Sequence, residues 1–173
     1  MEEYRDKVFG LLLNMLRSQE EAEELTQEVL FRAQQSLKNL REKRALSSWI
    51  YRIAVNCAVD HIRKRKRAIS LDDIQEPGFE PDLEREISDR EISWCIKNRI
   101  EQLPAIYKAV LIMAELEGLK QIEIARILSV SLSAVKMRLH RARRMLKEKV
   151  EEVCDVKREN GELSCIPKKD TCC

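Results

Sequence analysis

Two short apolar periods broken by a tight turn, the second carrying a dense row of cations, limit this chain more than any other feature. They occupy Leu119 to Val150, LKQIEIARILSVSLSAVKMRLHRARRMLKEKV. On a 3.6-residue helix from Val135 to Lys149, Val135, Leu139, Ala142 and Leu146 form one apolar stripe. Ser133, Lys136, Met137, His140, Arg141, Arg144 and Lys147 fall on the opposite face. A helix that docks by one stripe and presents cations on the other suits the major groove of a duplex, so the segment reads as a helix-turn-helix. An ordinary amphipathic helix with a solvated charged face gives the same pattern. This segment alone does not decide.

A second basic segment runs from Ser48 to Arg67, SWIYRIAVNCAVDHIRKRKR. Trp49, Ile50, Ile53, Ala54 and Cys57 share an apolar face, while Arg52, Asn56 and Arg63 line up opposite, with Val59 between them. The run ends in five cations, Arg63, Lys64, Arg65, Lys66 and Arg67. Clustered cations neutralise phosphates and release counterions, which gives affinity without sequence preference. The Asn56 amide carries both donors and an acceptor and suits a base edge; on a bare helix it is equally a solvated amide.

The overall charge hides this distribution. Net charge is +2, yet nine carboxylates (Asp72, Asp73, Glu76, Glu80, Asp82, Glu84, Glu86, Asp89 and Glu91) lie between Ala68 and Ile92 against only Arg85 and Arg90. An acidic link therefore separates two basic patches. With 36% charged and 5% aromatic residues, the composition suits small helical domains with thin cores, which often gain stability from a partner. No apolar run reaches the length of a membrane span, and the acidic start Met1-Glu2-Glu3 is unlike a cationic leader, so no membrane insertion and a cytoplasmic location are expected.

Helical periods fill most of the chain. Tyr4, Val8, Leu11, Leu12 and Met15 mark the first; Ala22, Leu25, Val29 and Ala33 mark the inner face of the second. The outer face of that second helix holds Glu20, Glu24, Gln27 and Phe31, an aromatic ring among polar groups. Such a ring anchors a partner or packs under a neighbouring helix. The period lapses from Ile69 to Pro81, with a break at Pro77-Gly78, and resumes with Ile92, Cys95, Ile96, Arg99, Ile100 and Leu103. Pro104 opens a further helix through Ile106, Val110 and Met113 that stops near Gly118. Strand alternation and a Gly-rich phosphate loop are not seen.

The order of these parts resembles bacterial RNA polymerase sigma factors of the extracytoplasmic function, or group IV, family. The resemblance rests on EAEELTQEVLFRA (Glu21 to Ala33), SSWIYRIAVNCAVDHIRKRKR (Ser47 to Arg67) and LPAIYKAVLIMAELEGLKQIEIARILSVSLSAVKMRLHRAR (Leu103 to Arg143), in family order and spacing. It implies an all-α fold of two small helical domains, a sigma region 2 bundle over 1–67 and a helix-turn-helix region 4 over 92–150. An acidic linker over 68–91 joins them, and a cysteine-rich tail over 151–173 follows.

The resemblance further implies core RNA polymerase and promoter DNA as partners, with a separate anti-sigma factor as a common controlling partner. Glu24, Gln27, Glu28 and Phe31 match the positions that dock on the coiled coil of the beta-prime subunit. Trp49, Arg52, Asn56, Arg63, Lys64, Arg65, Lys66 and Arg67 match the part that melts and reads the −10 element, with Asn56 at the base-reading position. Ser133, Lys136, Met137, His140, Arg141 and Arg144 match the −35 reader. The acidic link would thread the polymerase near the RNA exit path. Three positions depart from the family pattern. Leu30-Phe31 replaces an aromatic–aliphatic pair, Ser133-Ala134 replaces Gly-Thr, and Met137 replaces a common Ser, leaving no strong donor at a base-facing position.

Of six cysteines, Cys57 and Cys95 fall inside apolar helical patterns and read as core. Cys154, Cys165, Cys172 and Cys173 crowd the last twenty residues, outside the two-domain core. Without a Cys-x-x-Cys pair a zinc knuckle is disfavoured, though four thiolates suit Zn(II), Cu(I) or Cd(II). The tail resembles the cysteine-rich extension of the few such sigma factors that answer metals directly; a disordered end with reduced thiols is the plain alternative. No cofactor is otherwise required. A helix-turn-helix repressor leaves Glu21 to Arg67 unexplained, and a thiol redox protein rests on the tail alone. No nucleophile–base pattern supports an enzyme.

Overall fold

The computed structural model describes residues 2–36, 46–69, 89–159 and 162–168. Most of the acidic link, together with Cys172 and Cys173, lies outside the described residues.

Helix α1 (Glu2–Leu16) buries Val8, Leu11, Leu12 and Met15, as its spacing predicts, and Leu16 besides, with Tyr4 partly buried. It stops where Arg17 turns left-handed (φ 58°) and returns its N–H to the Leu13 carbonyl at 2.9 Å. Ser18 then starts α2 (Gln19–Ser36), its hydroxyl accepting from the Glu21 N–H at 3.3 Å. Glu20 and Glu21 occupy the first turn, where the helix dipole favours carboxylates. Ala22, Leu25, Val29 and Ala33 of α2 face inward, and α3 (Leu46–Ile69) crosses both helices with Ile50, Ala54 and Ala58 buried.

The second group comprises α4 (Asp89–Glu101), α5 (Ala105–Glu115), α6 (Gln121–Leu128) and α7 (Leu132–Glu151). Helix α4 thus begins inside the stretch read as linker. Pro104 stands at the N-cap of α5, and Gly118 supplies the left-handed turn (φ 64°) that follows it. The Glu123 carboxylate accepts from the Lys120 N–H at 2.8 Å, closing the first turn of α6. Ser129 ends α6 in the left-handed conformation (φ 53°), and the Val130 N–H returns to the Ala125 carbonyl at 3.1 Å. Ser131 then caps α7, accepting from the Ala134 N–H at 3.1 Å. Residues 129–131 are the tight turn of the helix-turn-helix.

The two groups do not stand apart. One continuous core joins them, because α3 packs against α5 and α6 as well as α1 and α2, and α1 also touches α5. Val59, placed by periodicity on the solvated face of α3, is buried, as are Tyr51, Val55 and Ile62. A single period names one buried face per helix, and α3 has two. Burying an aliphatic side chain of this size contributes roughly 2 kcal/mol to the stability of the fold.

The tail also departs from expectation. Cys154–Glu159 (β1) and Glu162–Pro167 (β2) form an antiparallel hairpin, with Cys154 opposite Pro167 and Val156 opposite Cys165. Its root is not outside the fold: Cys154 is 1% exposed and Cys95 of α4 is 2% exposed, in a small cluster with Val153 under Val150. The fold is therefore helical throughout its two domains, with a hairpin appended. Among the described residues, no helix is long and apolar enough to cross a membrane.

Candidate nucleic-acid interface

Helix α7 presents its cations as the sequence predicts. Val135, Leu139 and Ala142 are buried, and α7 packs on α5 and α6. Ser133, Lys136, Met137, His140, Arg141 and Arg144 are all exposed on the far side. Two of these are engaged by neighbours. The Ser133 hydroxyl lies 2.9 Å from that of the capping Ser131, and Arg144 pairs with Glu148 at 3.5 Å. Nearby Arg143 is held by Glu115 through two bonds of 2.6 and 3.0 Å.

Helix α2 displays Glu24, Gln27, Glu28 and Phe31 on its outer face, with the Phe31 ring 61% exposed. Glu28 also pairs with Arg32 one turn on, at 2.5 Å. The four residues are brought together on one surface.

Helix α3 divides its predicted residues between two environments. Asn56, Arg63, Lys64 and Arg67 are exposed, and Trp49 is half-buried. Arg52, Arg65 and Lys66 instead tie the two halves of the chain together. Arg52 donates from Nε to the Ile127 carbonyl at 2.8 Å and from Nη2 to the Arg126 carbonyl at 2.7 Å. Arg65 lies between Glu21 (3.1 Å) and Glu101 (3.9 Å), and Lys66 donates to the Leu103 carbonyl at 3.4 Å. On the next face, burial and the Glu117 carboxylate both push the Tyr51 phenol above its ordinary range.

Sequence reasoning missed the charged centre beneath these ties. Lys108 of α5 is 1% exposed, and its ammonium sits 2.6 Å from the Glu101 carboxylate. Burial pushes the Lys108 pKa down from its ordinary 10.5, while the bond to Glu101 acts to raise it. Glu101 in turn reaches Arg65, and Glu21 also meets His61 at 3.3 Å. A Lys inside an otherwise apolar helix was the available signal.

The amino-acid sequence matches the family model for Sigma-70 region 2 over residues 1–68 and that for Sigma-70 region 4 over residues 93–146. It is 32% identical over 163 residues to the ECF RNA polymerase sigma factor SigW of Bacillus subtilis (strain 168), covering 87% of this chain and 86% of that protein. The chain belongs to the ECF RNA polymerase sigma factors. This sigma factor is also 34% identical over 134 residues to the RNA polymerase sigma factor SigZ of the same strain, covering 78% of this chain and 75% of that protein. The ECF RNA polymerase sigma-E factor of Escherichia coli (strain K12) is 30% identical over 159 residues, 86% of this chain and 83% of that one. Among solved structures, the sigma factor RpoE in complex with the anti-sigma factor NepR from Bartonella quintana superposes with a TM-score of 0.62 at 20% identity. That match covers 87% of this chain and 95% of the RpoE chain, a likeness of fold.

Among the described residues, no group of three or more His, Cys, Asp or Glu is placed to hold a metal ion. Cys154 packs with Cys95 of α4.

Proposed function

We propose that this sigma factor reads the −35 element with Ser133, Lys136, Met137, His140, Arg141 and Arg144, and the −10 element with α3. In the second role Asn56 reads a base, Trp49 supports strand opening, and Arg52 together with Arg63 to Arg67 neutralises phosphates. The outer face of α2, Glu24, Gln27, Glu28 and Phe31, docks on core polymerase. The observation that carries this reading is the pair of cationic helices, α3 and α7, set in one chain beside a ring of Phe31 left 61% exposed. A helix-turn-helix repressor has no use for the region 2 match over residues 1–68. The protein acts by binding rather than by catalysis, and it works in the cytoplasm, where its template is.

Transcription reconstituted with core RNA polymerase on genomic fragments tests the proposal. Discrete start sites that require this chain are expected. Failure to start transcripts at any discrete site, with a folded chain and no inhibitor present, would overturn it. A separate anti-sigma protein is the proposed controlling partner, supported by a fold neighbour that was solved bound to one. For the tail, Cys154, Cys165, Cys172 and Cys173 are proposed as soft-metal ligands for Zn(II), Cu(I) or Cd(II), and Cys95 offers a further thiol at the hairpin root. Serine replacements of the tail cysteines should abolish any response of transcription to these metals.

A further inference from the structure

We infer that Met137 reads the methyl group of a thymine in the −35 element, an apolar readout at the centre of a cationic face. The inference rests on the −35 role proposed for α7. Met137 is 52% exposed, although Val135, Leu139 and Ala142 already anchor the helix without it. Its neighbours along the exposed face are Ser133 one turn before, Lys136 beside it, and His140 and Arg141 one turn on. An apolar side chain scattered on a surface needs no explanation. This one sits where the cations around it would bring a duplex.

The hydroxyls at the start of α7 meet each other at the turn. Ser131 caps the helix and Ser133 lies against Ser131, and past that pair the first exposed side chains are Lys136 and Met137. Lys136 and Arg141 suit phosphates or the acceptors of guanine. A thioether has no hydrogen to donate and is a weak acceptor. The one apolar group that the major groove displays is the thymine C5 methyl, and a flexible, polarisable side chain packs against it well. The expected gain is that of burying one methyl group, roughly fourfold in affinity.

Replacing thymine by deoxyuridine deletes this methyl and nothing else. Holoenzyme made with the full chain would first be used to select −35 sequences from a randomised upstream element. Each thymine of the selected element is then exchanged for deoxyuridine, one at a time, and affinity is measured. One exchange should cost roughly fourfold with the unaltered chain. The same exchange should cost nothing with Met137→Ala and a similar factor with Met137→Leu. Equal binding of every deoxyuridine duplex, a selected element without thymine, or a penalty that persists in Met137→Ala overturns the inference while leaving −35 recognition intact. Selection that yields no upstream preference at all removes the underlying −35 role instead.

Discussion

Arg52 closes the end of helix α6 by donating to the Ile127 carbonyl at 2.8 Å, with its second nitrogen on the neighbouring Arg126 carbonyl at 2.7 Å. The last carbonyls of a helix have no partner within it and carry the negative end of its dipole. Val130 returns to the Ala125 carbonyl, and the guanidinium takes the next two. A planar fork of fixed spacing suits this task, and a single ammonium does not. The same guanidinium cannot lie on α6 and on a DNA phosphate at once, so the −10 role proposed for it requires the halves to part.

Arg52→Ala should therefore loosen the closed arrangement by about 2 kcal/mol, the worth of charge-assisted hydrogen bonds. Dyes on exposed positions of α2 and α7 would report this as a fall in energy transfer in the free chain, a reading that DNA contacts do not influence. Arg52→Lys should recover only part of the loss. Unchanged transfer in both variants would show that the apolar core alone holds the halves.

Glu101→Ala strands the Lys108 ammonium in the core, and removal of one partner of a buried pair costs about 3 kcal/mol. Adding Lys108→Met to that variant should restore most of the stability in urea melts, since the charge that needed a partner is gone. Because burial lowers the Lys108 pKa below 10.5, the unfolded chain holds this proton more tightly. Its contribution to stability therefore rises with pH across the alkaline range up to 10.5. A melt series in which Lys108→Met left that alkaline slope unaltered would contradict the assignment.

Ser129 holds a left-handed conformation that an L side chain adopts at a cost of about 1 kcal/mol. Ser129→Gly should stabilise the helix-turn-helix by that amount and leave DNA affinity untouched, as residue 129 lies in the turn, away from the exposed face of α7. A drop in the urea midpoint would refute the reading of the turn.

The cations of α3 separate into two kinds. Lys64 and Arg67 are exposed, as is Arg63 beside Asp60 at 4.0 Å, whereas Arg65 and Lys66 are held by Glu21, Glu101 and the Leu103 carbonyl. Lys64→Ala should weaken binding alike on all sequences and reduce the salt slope by about 1. Asn56→Ala should cost about 1–3 kcal/mol at one base pair of the −10 element and relax choice there. Identical base profiles for Asn56→Ala and the unaltered holoenzyme would remove Asn56 from the reading position.

Periodicity made the helices and their main faces legible, as in the Val135, Leu139 and Ala142 stripe, because each apolar residue that recurs every third or fourth position must find cover. It failed on α3, which meets both halves of the chain. Val59 and Arg52 look solvated on an isolated α3, yet Val59 is buried and Arg52 donates to the end of α6. Lys108 was passed over because its side chain counts as polar until a carboxylate is found within reach. The hairpin had a local signal that went unread: Asn160-Gly161 lies between the two strand segments, and that dipeptide is a strong mark of a two-residue hairpin turn.

Distance along DNA gives the shared core a further meaning. Elements named for positions −35 and −10 are separated by about 25 base pairs, or roughly 85 Å of duplex at 3.4 Å per pair. A folded chain of this length spans only about 40 Å. One rigid body therefore cannot lay α3 and α7 on both elements of a straight promoter together. Nineteen residues lie between Ile69 and Asp89, and fully extended they reach about 60 Å. The parted halves, added to that tether, cover the interval with some slack. With α3 and α7 in the roles proposed above, the closed form is a ruler folded shut, and it measures a promoter only after it opens.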